Sequence, residues 1–117
     1  MDLAINVTTE TDWQVIVLKG ELDDYQTSKL SKAFEDVLDV NTNQKVILNL
    51  NDVSFIDSVG LGTIAIAGKK IMLNKDGQFN LVCNQKKLVH MIELSGITNI
   101  GDGKIRLFSN LEDALSS

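Results

Sequence analysis

Leu3, Ile5 and Val7 recur at every second position through Thr9, the period of a strand with one buried face. The polar stretch Thr9–Asp12 reads as a turn. After Trp13 the unbroken run Val15–Leu18 reads as a more buried strand, with Gly20 at its end. From Gln26 the period lengthens. Leu30, Ala33, Phe34, Val37 and Leu38 are spaced as one face of an amphipathic helix, and Asn41-Thr42-Asn43 breaks it. Val46-Ile47-Leu48 with Leu50 gives a third, short, central strand. Asn51–Gly62 reads as a loop that turns into a helix at about Val59, running through Thr63 to about Leu73. The expected inner face of that helix is Leu61, Ile64, Ala65, Gly68, Ile71 and Met72. Asp76-Gly77 stops it, glycine supplying a left-handed turn. Phe79, Leu81 and Cys83 predict a fourth strand. Gln85–Leu94 predicts a helix with Leu88, Met91 and Ile92 inward and Gly96 beyond its end. Ile105, Leu107 and Phe108 predict a last short strand, and Leu111–Leu115 a final helical turn or two.

Strands that alternate with helices of this length predict an α/β domain. The expected architecture is a mixed, mainly parallel sheet of four or five strands covered by about four helices, with residues 1–117 forming one domain.

Composition narrows the function. Sixteen acids against 11 bases give a net charge of −5. This argues against a nucleic-acid surface, which needs clustered Lys and Arg, and against anionic membranes. One cysteine, Cys83, excludes an internal disulfide and a cysteine-rich zinc site, and one histidine, His90, excludes most histidine-based constellations. No cofactor is expected. No apolar run reaches the roughly 20 residues of a membrane span. The start Met1–Asn6 is not a signal peptide, so a cytoplasmic location is expected. Cys83 is assigned to the core, His90 to a helix surface and Trp13 to the sheet edge. Lys69-Lys70 and Lys86-Lys87 are assigned to solvated helix faces.

The unusual chemistry lies in Asp57-Ser58-Val59-Gly60-Leu61-Gly62. Ser58 is expected at the N-cap, where its oxygen accepts a backbone N–H of the first turn. Gly60 and Gly62 are poor helix formers, each costing up to ~1 kcal/mol against Ala. Two readings fit. In one, this is a capped helix with two packing glycines. In the other, Ser58 is presented for modification: a phosphate there lies by a helix N-terminus, which tolerates it, and adds roughly −1.5 to −2 charge beside Asp57. Asp23 and Asp24 end the second strand on the same expected edge. Ser54 is read as structural, bonding backbone. Gly60-x-Gly62-x-x-Ala65 also fits a weak dinucleotide pattern, but the strand ending at Leu50 lies ten residues upstream and no acid follows at the required spacing. A serine hydrolase lacks its elbow and an oriented base.

Gly20-Glu21-Leu22-Asp23, the helix after it, Asp52–Gly62, and Leu94-Ser95-Gly96-Ile97 together resemble the STAS domain of bacterial anti-sigma factor antagonists, from Leu3 to about Leu111. The resemblance implies the STAS fold and a switch protein that is not itself an enzyme. Unphosphorylated, such a protein binds an anti-sigma factor that is a serine kinase, and so releases the sigma factor. The kinase holds the ATP and magnesium and phosphorylates the residue matching Ser58. A metal-dependent serine phosphatase reverses this. The partner-binding residues implied are Asp23, Tyr25, Asp57, Val59, Gly60, Leu61 and Gly62. The chain departs from the family at Gln26-Thr27-Ser28, where proline is frequent, and at Val59, where a small or hydroxylated residue is commonest. The alternative within the same fold is a scaffold or ligand-binding module with no phosphorylation cycle and a different target.

Overall fold

The computed structural model describes residues 2–40, 44–101 and 103–117, the side chains of Asp39 and Val40 apart. The break expected at Asn41-Thr42-Asn43 lies outside them. The strands are β1 (Leu3–Glu10), β2 (Trp13–Leu22), β3 (Lys45–Ile56), β4 (Gln78–Val82) and β5 (Ile105–Phe108). The helices are α1 (Thr27–Val40), α2 (Ser58–Leu73), α3 (Lys86–Ser95) and α4 (Leu111–Leu115). The strands form a five-stranded sheet in chain order, β1 antiparallel to β2 and every later pair parallel.

That order explains the layering. Each crossover steps one strand in the same direction, and crossovers of one hand that all step the same way put their helices on one face. Leu30, Phe34, Ile64, Ile71, Leu88 and Ile92 accordingly meet Ile16, Leu48, Phe79 and Leu81 in the main core. Phe34 and Phe79 meet edge to face at 5.9 Å. The opposite face has its own cluster of Trp13, Val15, Ile47, Val82 and Ala114, and α4 supplies its cover. Asn80, 3% exposed, fastens that cover: its Nδ2 donates to Ala114 O at 3.0 Å and to Ser117 Oγ at 2.7 Å.

The elements differ from the sequence pattern where pairing or packing overrides it. β2 does not end at Gly20. It passes through two irregularities, with Gly20 at φ +118, and runs on to Leu22. β3 is more than twice the expected length, because Asp52, Val53, Phe55 and Ile56 pair with Lys19–Leu22 instead of looping. Trp13 is not at a sheet edge: it is 1% exposed on β2, with the Lys45 ammonium 4.7 Å above its ring. That lysine also pairs with Asp12 at 2.8 Å, which holds the Asp12 carboxyl below its ordinary range. Gly77 is not left-handed. A side chain there collides with the Ile71 carbonyl, so glycine is required by close approach. On α2 the buried residues are Gly60, Leu61, Ile64, Ala67, Gly68 and Ile71; Ala65 and Met72 are half-buried against the core.

Candidate functional site

Leu22 and Ile56 are register partners at the ends of two adjacent parallel strands. The residues that follow them, Asp23 and Asp57, therefore emerge side by side at the carboxyl edge of the sheet, the edge where open α/β sheets carry their sites. Asp23 starts a tight turn: Tyr25 N–H donates to Asp23 Oδ1 at 3.0 Å and Gln26 N–H to Asp23 O at 3.0 Å. This local bonding lets α1 begin at Thr27 without a proline.

Asp57 is a clamp. Its Oδ1 accepts from Gly60 N–H at 2.8 Å and its Oδ2 from Asp24 N–H at 3.1 Å, while its own N–H donates to Leu22 O at 3.2 Å. One carboxylate caps α2 and ties the β2–α1 turn to it. The N-cap is thus Asp57 and not Ser58, a correction with a plain cause: the aspartate lies one residue earlier, with an extended backbone that aims its carboxylate at Gly60 N–H. Asp57→Ala is expected to lower stability by ~1–2 kcal/mol through the lost cap and to loosen the Asp23–Gln26 turn. Thermal unfolding and amide exchange at Asp24 check both effects.

Ser58 becomes the first helical residue, and it is exposed. Among the described residues no hydrogen bond engages its hydroxyl, nor the N–H groups of Ser58 and Val59, which precede the first intrahelical bond, Leu61 N–H to Asp57 O. The serine therefore stands at a positive helix end with two donors unspent.

The other residues separate into two groups. Tyr25 is 86% exposed and Val59 50%, and Gly62 has open space around it. Asp23 is half-buried. Gly60 and Leu61 face inward. A side chain at Gly60 would lie 2.7 Å from Leu22 O and 2.9 Å from Leu22 Cγ, so this glycine serves packing. Sequence reasoning missed Phe55, 48% exposed at the end of β3 near this edge, because it fell in a segment read as loop. No period marks it: Ser54 and Phe55 are both exposed between the buried Val53 and Ile56. Ser54 Oγ donates to Gly20 O at 3.3 Å, bracing β3 against β2.

The dinucleotide pattern is answered by geometry. β3 runs to Ile56, much closer to Gly60 than the sequence suggested, but the Asp57 carboxylate takes the Gly60 N–H that the first glycine of such a motif would offer a pyrophosphate. His90 is exposed, and burial raises the Cys83 thiol above its ordinary range, which suppresses its thiolate. Among the described residues no group of His, Cys, Asp or Glu is placed to hold a metal ion, and no helix is long and apolar enough to cross a membrane.

The STAS domain family model matches residues 4–114. The anti-sigma F factor antagonist of Paenibacillus polymyxa is 27% identical over 116 residues, covering 96% of this chain and 97% of that protein. An anti-sigma-F factor antagonist of Mycobacterium tuberculosis is 31% identical over 114 residues, covering 97% of this chain and 88% of that one. The crystal structure of an anti-sigma factor antagonist from Mycobacterium paratuberculosis superposes with a TM-score of 0.85 at 25% identity, over 98% of this chain and 92% of that chain.

Proposed function

Because this chain belongs to the STAS domain family, we propose that it is an anti-sigma factor antagonist: a binding protein, not an enzyme, controlled by phosphorylation of Ser58. Its partner is an anti-sigma factor that is a serine kinase and supplies the ATP and magnesium. A metal-dependent serine phosphatase removes the phosphate. The observation that carries this reading is the exposed Ser58 hydroxyl at the first position of α2, with the Asp57 clamp directly before it.

The chemistry follows from that placement. A phosphate on Ser58 meets the unspent N–H groups of Ser58 and Val59 and the positive end of α2, so the fold accepts it. The Asp57 carboxylate is held by backbone on both oxygens and stays in place. Outward the effect is opposite. Roughly two negative charges appear between Val59, Tyr25 and Gly62, where a partner docks, beside Asp23 and Asp57. On this reading the docking surface is Asp23, Tyr25, Val59 and Gly62, with Gly60 and Leu61 supporting it from within.

Incubation with ATP, magnesium and the anti-sigma factor kinase of the same genome tests the assignment. Phosphopeptide mapping is expected to find one phosphate, on Ser58, and none on the Ser58→Ala protein. A chain that binds the kinase but takes no phosphate, or takes it elsewhere, defeats the reading and favours a scaffold on the same fold.

A further inference from the structure

We propose that the outer edge of β1 is a self-association surface, where a second copy of this chain adds its own β1 antiparallel and extends the sheet to twice its width. The sheet order ends at β1, and among the described residues no strand or helix pairs with its far side. Glu10 and Trp13 flank the two-residue turn Thr11-Asp12 as a register pair. In such a hairpin the flanking pair exchanges hydrogen bonds, and bonding then alternates along the ladder. The even residues Glu10, Thr8, Asn6 and Ala4 therefore bond to β2, and the odd residues turn their N–H and C=O groups outward. Lys29 confirms the phase: its Nζ donates to Leu3 O at 2.6 Å. Ile5, Val7 and Thr9 thus present a row of donors and acceptors. Beyond the lysine over Leu3 this stretch has none of the usual edge protection, since Ala4–Thr9 holds no charge and no proline and pairs with β2 in unbroken register. Val7 is also 41% exposed.

Charge selects both the occupant and its register. α1 runs alongside β1 in the same direction: Lys29, Lys32 and Asp36 line the groove beside Ile5, and Asp36 also reaches the groove beside Val7; within one copy Lys32 pairs with Asp36 at 3.4 Å, an exposed pair that a second copy can extend into a four-charge network. A two-fold axis at Asn6 pairs Ile5 with Val7 of the other copy in both directions. It sets the two α1 helices antiparallel, with the lysine end of each over Asp36 of the other. An axis at Val7 would instead bring the two Asp36 carboxylates together. The surface is thus self-complementary in the sense a two-fold contact requires. Docking there leaves Ser58, at the end of β3 two strands away, uncovered, so the proposal does not depend on the switching reading.

Sedimentation of the full chain from micromolar to millimolar concentration tests it. Wild type is expected to approach twice the chain mass. Val7→Pro removes only an outward N–H, which an edge strand tolerates, and should sediment as a monomer with near-unchanged melting temperature. Val7→Lys serves as a second monomerising variant if the proline variant unfolds. Lys32→Asp and Asp36→Lys should each raise the dimer Kd about tenfold, and the double exchange should restore it. A wild type that stays monomeric throughout, a Val7→Lys protein that still dimerises, or a double exchange no tighter than the single ones overturns the proposal.

Discussion

Phosphorylation of Ser58 is expected to weaken binding to the anti-sigma factor by about a hundredfold, equivalent to ~3 kcal/mol, while Ser58→Ala binds like wild type. The magnitude comes from desolvation. An uncompensated charge buried at an interface costs about 3–5 kcal/mol. Here the new charge lies beside Asp57 and Asp23 in a chain already at −5. Ser58→Glu brings one charge instead of nearly two and is expected to lose only about tenfold. Fold stability supplies the control. Because Asp57 and not Ser58 caps α2, Ser58→Ala removes an exposed hydroxyl with no partner, and its stability should stay within ~0.5 kcal/mol of wild type. Calorimetric titration of the unmodified, phosphorylated, Ala and Glu forms decides the matter. If the phosphorylated protein binds as tightly as the unmodified one, on–off switching through Ser58 is wrong.

The second large effect separates two glycines that look alike in the sequence. Gly60→Leu is expected to unfold the domain or lower its stability by at least ~3 kcal/mol. Even the first carbon of the new side chain falls 2.7 Å from the Leu22 carbonyl, at the strand end that carries Asp23. Gly62→Leu meets nothing within 4 Å. It exchanges a poor helix former for a good one and should raise stability by ~0.5–1 kcal/mol, yet its side chain would project into the proposed docking surface and should abolish partner binding. Melting curves and titrations of both variants test this. A stable Gly60→Leu protein would mean that the helix start is not pressed against Leu22. A Gly62→Leu protein that binds normally would move the docking surface elsewhere.

Hydrophobic periodicity was enough for the α/β class, the alternation of strands and helices, the identity of most core residues, and the placing of Ser58 at the start of a helix. These properties are local: a period of two or 3.6 residues is written into neighbouring positions. The acidic balance and the single Cys83 and His90 likewise narrowed the expected chemistry from composition alone. What the chain alone left open depended on partners distant in sequence. Asn51–Ile56 reads as loop until Lys19–Leu22 lies beside it and supplies the ladder bonds. Gly77 is required by the Ile71 carbonyl and Gly60 by Leu22, neither visible in composition. The cap passed from Ser58 to Asp57 because the carboxylate reaches two backbone N–H groups, one of them 33 residues away. Asn80, polar in the middle of a strand, has its reason only in the last turn of α4. Sequence records which residues want burial or a hydrogen bond; the tertiary structure decides which neighbour satisfies them, because chain crossovers bring together groups that no local period relates.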